Sequence, residues 1–315
     1  MLINNYTVIE LAKELGFDLI GFSKAAELDY EIETLEDWLS KGYNAGMKYM
    51  ERNIDKRKDV SKILPGAQSV ISLAINYFNN EEFFCSPQHG KVSRYAWGTD
   101  YHYIIWDKLK ILESKLKKID PNFVSKFYVD TGPVMDKVWA VKSGLGWMGK
   151  HSNLISRVMG SWLFIADIIT NYGFEYNEPA SDLCGTCTAC IEACPTDAII
   201  DNYLIDSNRC ISYLTIENKG DIPDEFKGKF ENWIFGCDIC QDVCPWNKKF
   251  SRQTKEKEFL EIKNKELPLK EILEMNREEF KTKFKDSPIT RAKLNGLQRN
   301  AKFLIDSSSG EISGE

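Results

Sequence analysis

The first half of the chain alternates between two periods of hydrophobic and polar positions. Apolar residues recur at helical spacing in "YTVIELAKELGF", which ends at Gly16 before Phe17, in "EIETLEDWLSKGY" and in "YHYIIWDKLKILESKLKKI". Between these predicted helices, the runs "DLIGFS", "SVISLAINYF", "FVSKFYVDT" and "GSWLFIADIIT" are apolar and rich in β-branched residues, which predicts strands. Helices and strands that alternate up to about Tyr172 indicate an α/β domain.

A cysteine-rich module follows from Gly173 to about Asn247, and the region from Leu267 to Asp306 has a helical pattern. No apolar run is long enough to cross a bilayer, and the first residues contain neither a basic region before an apolar stretch nor a twin-arginine pair. With a hydrophobic fraction of 43%, these features predict a soluble cytoplasmic protein with no membrane partner.

The net charge of −6 gives no global attraction to nucleic acid, so an RNA partner would have to meet a local basic surface. The segment "KFSRQTKEKEFLEIKNKELPLKE" is one candidate. Its alternating Lys and Glu residues also describe a solvated helix face, which is the commoner meaning of such a pattern.

Nine cysteines in a chain with no recognisable export signal favour free thiols that bind metal over disulfides. One run has the spacing C-x2-C-x2-C-x3-C followed by Pro195, which is typical of [4Fe–4S] ligands and in which the fourth cysteine serves the other cluster. The second run, "CDICQDVCPW", has Ile234 where a first cysteine would stand, and Cys210 between the runs restores the count to eight.

The sequence therefore predicts two clusters. The ligands are Cys184, Cys187, Cys190 and Cys244 for one, and Cys194, Cys210, Cys237 and Cys240 for the other. Cys85 remains as a plain thiol. A pair of structural zinc sites is the alternative, but four cysteines within eleven residues and a trailing proline fit zinc poorly. Clusters transfer single electrons, so another part of the protein must use these electrons.

Candidate chemistry in the first part centres on "VDTGPVMDKVWAVKSGLGWMGKHS". The glycines of "GLGWMGK" imitate a dinucleotide fingerprint, but they follow a helix instead of preceding one, so that interpretation is weak. They either let the backbone approach a large flat ligand or make a tight turn. Asp130, at the end of a predicted strand, is either a turn or capping carboxylate or a catalytic acid.

Four stretches together resemble the epoxyqueuosine reductase family: "VDTGPVMDKVWAVKSGLGWMGKH", "SRYAWGTDYH", "RCISYLT" between the cysteine runs, and "CDICQDVCPWNK". The resemblance covers nearly the whole chain. It implies a cobalamin-binding α/β (α+β) catalytic domain over residues 1–172, a ferredoxin-like domain with two [4Fe–4S] clusters over 173–250, and a helical C-terminal segment over 251–315. It also implies queuosine biosynthesis: reduction of epoxyqueuosine at the wobble position of tRNA.

The resemblance implies roles for single residues. Asp130 is the expected proton donor and a cofactor contact, and the other expected contacts with the corrinoid are Arg57, Ser93, Leu154, Ser156, Ser212 and Asp238. Cob(I)alamin, reduced through the clusters, would act on the epoxide. Free aspartic acid has a pKa of about 3.9, so Asp130 can donate near neutrality only if a dry pocket and the developing oxyanion keep it protonated.

Further expectations concern partners. An acidic protein can hold an everted base of the tRNA anticodon loop by stacking and local positive charge, and the candidate stacking residues are Trp97, Trp147, Trp162, Trp233 and Trp246. Buried tryptophan is the commoner alternative. The chain stops after "SPITRAKLNGLQRNAKFLID" and "SSSGEISGE", before the helical repeats of longer family members, which makes its affinity for tRNA less certain. We expect a monomer that takes electrons from an external low-potential donor.

Two rival functions remain open from the sequence. A reductive dehalogenase would share the corrinoid and the two clusters, but such enzymes are usually exported. A non-enzymatic ferredoxin-type electron carrier would have clusters and no corrinoid. His89, His102 and His151 form no axial-ligand motif, so none is assigned to cobalt.

Overall fold

The computed structural model of the protein describes residues 2–84 and 86–309. Cys85 therefore lies outside the described residues. The strands are β1 Leu19–Lys24, β2 Ser69–Asn76, β3 His89–Val92, β4 Ser125–Tyr128, β5 Trp147–Met148, β6 Leu154–Ile155, β7 Leu163–Thr170, β8 Ile199–Asp201, β9 Leu204–Ile205, β10 Trp233–Phe235 and β11 Glu266–Pro268. The helices are α1 Asn5–Glu14, α2 Asp29–Ser40, α3 Ile54–Lys58, α4 Tyr101–Ile119, α5 Asp136–Lys142, α6 Ala189–Glu192, α7 Ile211–Ile216, α8 Ile239–Asp242, α9 Pro245–Phe250, α10 Lys257–Leu260, α11 Leu269–Glu274, α12 Arg277–Lys283 and α13 Lys293–Ser309.

The main sheet has four strands in the order β1-β2-β7-β4, and every neighbouring pair is antiparallel. The mixture of helices and strands agrees with the predicted fold class. Because the strands are antiparallel, the α+β form of that description is the one that applies. All eight residues of β2 are buried, as expected for a central strand covered on both faces.

Helices cover both faces of this sheet. On one face, Ile71, Leu73 and Ile75 of β2 pack with the buried faces of α1 and α4. On the other face, Val70 packs with Trp139 of α5, and Ala74 packs with Ala140 of the same helix. Alternate residues of a strand point to opposite faces, so one apolar strand supplies two separate cores.

The predicted helices and strands of this part all form, with boundaries that shift by a few residues. Helix α4 spans the predicted "YHYIIWDKLKILESKLKKI" in full, with Asp100 as its N-cap accepting from the His102 N–H. Helix α1 ends at Glu14, and Gly16 follows with φ of +87°. The strand after α4 is shorter than expected and ends at Tyr128, two residues before Asp130.

A second sheet joins distant parts of the chain. Strand β3 pairs in parallel with β10 and antiparallel with β11. The region predicted as helical from Leu267 to Asp306 therefore begins with a strand, because Leu267 pairs with Gly90. The final helix is also tied to the cysteine module: the Asn300 side chain donates to the carbonyl oxygens of Thr215 and Ile234.

Among the residues that the structure describes, no helix is both long and apolar enough to span a bilayer.

Candidate active site

Asp130 is the central residue of a γ-turn that follows β4. The Thr131 N–H donates to the Val129 carbonyl oxygen at 2.6 Å, and Asp130 between them has φ of +55°. A positive φ is a strained conformation for a residue with a side chain, although Asp tolerates it better than most. Helix α5 has Met135 at its N-cap, so Asp130 does not cap it. The turn instead presents an exposed carboxyl group.

Tyr101, at the start of α4, fixes this carboxyl group. Its hydroxyl donates to Oδ2 of Asp130 at 2.9 Å, and its ring stacks on Phe164 of β7 with centroids 4.1 Å apart. Burial raises the pKa of Tyr101 well above its usual value, and the Asp130 charge raises it further. Tyr101 therefore stays a neutral donor throughout the physiological pH range.

The glycine loop after α5 packs against the backbone of β6. A Cβ on Gly146 would lie 2.1 Å from the carbonyl oxygen of Ile155 in β6. This close approach of two backbone segments explains the glycine and favours the tight-packing interpretation of "GLGWMGK" over that of a ligand cradle. Lys137 of α5 holds the following turn, with Nζ 2.8 Å from both the Ser152 carbonyl oxygen and Oδ1 of Asn153.

Four cysteines line one cavity of about 220 Å³, and they are Cys184, Cys187, Cys190 and Cys244. This is the set predicted for the first cluster, although Cys244 is 54 positions from Cys190 in the chain. Its wall also includes His151 and Trp246. Among the described residues, no three Cys, His or acidic side chains converge closely enough for a single ion. Four sulfur atoms around a cavity fit an iron–sulfur cube better than zinc.

The second predicted set also comes together. Cys240 interacts electrostatically with Cys210 and Cys194, and Cys237 interacts with Cys240 and Cys210. Cys240 also lies within reach of Cys190 of the first set, so the two sites are neighbours. Burial raises the pKa of Cys237 and of Cys240. These thiols fit a cluster, which binds them as thiolates and releases their protons.

Hydrogen bonds to the sulfur atoms are in place around both sets. The indole Nε1 of Trp147 lies 3.5 Å from Sγ of Cys184, and the Ala198 N–H donates to Sγ of Cys194 at 3.3 Å. Backbone N–H groups of Ser212 and Tyr213 donate to Cys210. Such donors orient the ligands and raise the potential of a bound cluster.

Two of the predicted corrinoid contacts form a buried pair. The Ser93 hydroxyl donates to Oδ1 of Asp238 at 2.5 Å, and Arg94 bonds Oδ2 through its backbone N–H and its guanidinium. Burial raises the pKa of Asp238, and the Arg94 charge opposes that shift. Gly236 allows the approach, since a Cβ there would lie 2.5 Å from Cβ of Ser93. The pair thus joins "SRYAWG" to the second cysteine set.

The other predicted contacts have different surroundings. Arg57 is buried and donates to the Tyr49 and Arg52 carbonyl oxygens at 3.3 and 3.4 Å. Leu154 is buried in an apolar cluster with Leu145 and Leu163. Ser156 accepts from the Val158 N–H at 3.3 Å. Ser212 lies in the first turn of α7, next to Cys210.

Several groups around Asp130 were not found from the sequence. Lys137, Asp136, Tyr49 and Arg291 all interact electrostatically with Asp130. Burial raises the pKa of Tyr49 to about 12. No local motif marks these residues, because they come from three separate segments.

Lys137 relates the candidate acid to the second cysteine set. It interacts electrostatically with Asp130 and also with Cys210 and Cys240. A group that bound near Lys137 would therefore lie close to both.

The tryptophans are mostly core residues. Trp97, Trp147, Trp162 and Trp233 are each at most 2% exposed, so they do not form a stacking surface, and only Trp246 of the five candidates is partly exposed. The Lys- and Glu-rich segment is not one helix: it contains α10 and β11 and makes ion pairs such as Lys108–Glu256 and Lys265–Glu81.

Two of the three histidines have defined contacts within the protein. His102 Nδ1 lies 2.7 Å from Oδ1 of Asp100, and His151 is buried next to the first cysteine set. Burial lowers the pKa of His151 to about 4.

Comparisons with known proteins agree with this geometry. The family model "Epoxyqueuosine reductase QueG, DUF1730" matches residues 57–131, and "4Fe-4S double cluster binding domain" matches residues 183–247. An epoxyqueuosine reductase from Leadbetterella byssophila is 51% identical over 93% of this chain and 95% of its own length. The chain belongs to the epoxyqueuosine reductase family.

Other members of this family are similarly close. The epoxyqueuosine reductase of Cyclobacterium marinum is 47% identical over 96% of this chain and 97% of its own length. A crystal structure of an epoxyqueuosine reductase with an epoxyqueuosine-modified tRNA-Tyr stem loop is 34% identical, with a TM-score of 0.89 over 96% of this chain and 80% of that one. A Bacillus subtilis member, 33% identical with a TM-score of 0.89 over 96% of this chain and 81% of that one, was solved with a catalytic aspartate loop swung out of its active site.

Proposed function

We propose that this protein reduces epoxyqueuosine in tRNA to queuosine, with Asp130 as the proton donor. The observation that carries the proposal is that Lys137 interacts electrostatically with both Asp130 and the second cysteine set. An acid group and an electron supply therefore border the same place. The reaction needs both, because converting the epoxide to the alkene consumes two electrons and two protons and releases water.

The residues that would hold the cofactors follow from the geometry. Cys184, Cys187, Cys190 and Cys244 would bind one [4Fe–4S] cluster, and Cys194, Cys210, Cys237 and Cys240 the other. When bound, the clusters supply single electrons and cobalamin supplies a strongly reducing cobalt centre. The second cluster would be the one next to the corrinoid, because Cys210 and Cys240 are the cysteines that interact electrostatically with Lys137.

Asp130 would deliver a proton to the departing epoxide oxygen. The γ-turn points the carboxyl group outward, and the Tyr101 hydroxyl holds Oδ2, which leaves Oδ1 to carry the proton toward substrate. The bound corrinoid and base would exclude water from this group. The loop that carries Asp130 contains Gly132 and Pro133, and a related enzyme adopts a second position for its catalytic aspartate loop.

The remaining predicted contacts would act by holding the cofactors in place. Arg57 would present a buried positive charge near Asp136, and Ser212 would lie between the corrinoid and Cys210. The hydrogen bond between Ser93 and Asp238 would hold the chain next to Cys237, a ligand of the second cluster. Leu154 has its side chain in the core, so it would contact the cofactor through its backbone, as would Ser156.

We infer the finer organisation from the same features. Residues 1–172 would hold the cobalamin-binding catalytic unit and residues 173–250 the clusters. Residues 251–315 would form the C-terminal segment, whose β11 and α13 contact the other two parts. The partners would be the tRNA anticodon loop and an external low-potential electron donor. We expect a cytoplasmic monomer.

Anaerobic reconstitution tests the proposal. Purified protein is analysed for iron and sulfide, titrated with cobalamin by visible spectroscopy, and incubated with a reductant and an epoxyqueuosine-modified anticodon stem loop. We expect two clusters, corrinoid binding, and a product that has lost one oxygen atom by mass spectrometry. Clusters without corrinoid affinity would indicate an electron carrier. Turnover of halogenated organics without epoxyqueuosine reduction would indicate a dehalogenase.

A further inference from the structure

One row of residues crosses the main sheet beneath α5. Gly21 of β1 is paired with Ser72 of β2, Ser72 with Asp167 of β7, and Asp167 with Tyr128 of β4. Residues paired in register point to the same face of a sheet. Helix α5 packs on this face, and a Cβ on Gly21 would lie 1.9 Å from the carbonyl oxygen of Ser143 at the helix end. A carboxyl group therefore stands in the middle of a buried surface.

Asp167 is fully buried and meets a second carboxyl group. Its side chain hydrogen-bonds to that of Asp136, the first residue of α5. Its Oδ1 also accepts from the Ser72 hydroxyl at 2.5 Å, and the Ser143 hydroxyl links Ser72 to Ser23 with two contacts of 3.1 Å. A chain of polar groups thus runs from Asp136 into the interior.

The unpaired oxygens of the two carboxyl groups identify where a proton belongs. Oδ1 of Asp136 and Oδ2 of Asp167 are buried, and neither has a hydrogen-bond donor among the described residues. Two carboxylates can bond to each other only if one of them carries a proton, because ionised carboxylates are acceptors only. A buried, unsatisfied charge would be costly. A shared proton satisfies both oxygens.

The charged and titratable groups around the pair come from every element packed on it. They are Asp130 from the γ-turn, Arg57 from α3, Lys137 from α5 and Tyr128 from β4. Arg57 favours ionisation of Asp136, whereas Asp130 opposes it. Burial dominates: it raises the pKa of Asp136 to about 7 and that of Asp167 well above its usual value.

We propose that Asp136 and Asp167 form a proton-sharing carboxyl pair that holds the first residue of α5 against the middle of the main sheet. Asp167 keeps the proton and donates to Asp136. The pair does not depend on the proposed function, because neither substrate nor cofactor takes part in it.

The pair also makes a specific contribution to stability. The folded-state pKa of Asp136 lies above its unfolded value of 3.8, so the folded protein binds this proton more tightly than the unfolded chain. Stability from this group is therefore full below about pH 4 and is lost as the pH rises toward about 7. Replacing Asp136 by Asn removes that loss.

Two measurements on the cluster-loaded protein without corrinoid test the shared proton. Infrared spectra in H₂O and D₂O should show the carbonyl stretch of a protonated carboxyl group at neutral pH, and the contribution of the pair should disappear only when both carboxyl groups are replaced, in Asp136→Asn/Asp167→Asn. The apparent Tm of Asp136→Asn should exceed that of the parent by an amount that grows from pH 4 to pH 7. Asp107→Asn, at an exposed carboxylate, is the matched control and should give a parallel profile.

The outcomes are distinguishable from failure of the proposed function. No protonated carboxyl band at neutral pH in the parent protein would overturn the pair, and this spectrum needs no variant and no substrate. If the band is present, the pH profile of the Tm decides what the pair contributes. A Tm difference between Asp136→Asn and the parent that stays constant from pH 4 to pH 7 would overturn the contribution of the shared proton to stability.

Discussion

The hydroxyl of Tyr101 hydrogen-bonds to Oδ2 of Asp130 across 29 residues of chain, at 2.9 Å. Through this contact, the N-terminal turn of the longest helix holds the carboxyl group of the γ-turn in one position. The ring of Tyr101 is itself fixed between Phe164 and His102. The acid is therefore supported by the core that packs on the main sheet, although its own loop is exposed.

Removing this hydrogen bond tests whether the Tyr101 hydroxyl is needed to orient the Asp130 carboxyl group. Tyr101→Phe keeps the stacked ring and loses only the donor, so we expect unchanged cofactor content and a fall in single-turnover rate of about tenfold, equivalent to about 1.4 kcal/mol. Single-turnover conversion of the modified stem loop measures it. Tyr103→Phe, at an exposed position on the same helix, is the control. Equal rates for Tyr101→Phe and the parent would show that the bond does not orient the acid.

The ligand sets predict what each cysteine removal does. Cys244→Ser should impair the cluster of Cys184, Cys187 and Cys190 and leave the other intact, although Cys244 lies only four positions from Cys240. Iron analysis after anaerobic purification should then fall from about eight to about four atoms per chain. Loss of the cluster bound by Cys240, with the other retained, would reverse the assignment.

The buried ion pair of Arg94 and Asp238 predicts a large change in stability. Their side chains are 12% and 2% exposed, and the guanidinium also lies over the ring of Trp162 at 5.0 Å. Arg94→Gln leaves a buried carboxylate without its charge partner, so the free energy of unfolding should fall by about 3–5 kcal/mol. Denaturant unfolding measures it. Lys110→Ala, which breaks an exposed pair with Asp107, should leave the midpoint unchanged; a similar loss in both variants would contradict the account.

Two glycines predict changes of opposite sign. Gly146→Ala places a Cβ 2.1 Å from a backbone carbonyl oxygen, so it should destabilise the protein by about 1–3 kcal/mol. Gly296→Ala lies in α13 with ordinary contact to Ala292 at 3.6 Å, so it should stabilise by about 1 kcal/mol through helix propensity. Thermal unfolding of both variants measures this. The same sign for both would refute the packing explanation of the glycine loop.

Local patterns were sufficient to predict the helices and strands around the main sheet and to single out the cysteine runs. The period of apolar residues marked α4, and the spacing of Cys184 to Cys194 predicted cluster ligands. Both signals are carried by neighbouring residues, so they can be read without knowing the fold. The resemblance to a family then supplied Asp130 and the expected corrinoid contacts.

Long-range relationships could not be predicted in the same way. Strand β3 has four residues and belongs to a sheet because it pairs with β10 and β11, which come more than 130 positions later in the chain. The pairing of Asp136 with Asp167 depends on the register of the sheet, because a shift of one residue would turn Asp167 to the opposite face. The roles of Tyr101 and Lys137 likewise required the position of Asp130 in three dimensions.

The central claim is that Asp130 delivers the proton, while other residues of the protein bind the clusters and the corrinoid. Single-turnover reduction of an epoxyqueuosine-modified stem loop by the loaded parent and by Asp130→Asn tests it most directly. We expect equal iron and cobalamin content and a rate for Asp130→Asn that is at least about a hundredfold lower. Full activity in that variant, with both cofactors retained, would contradict the account.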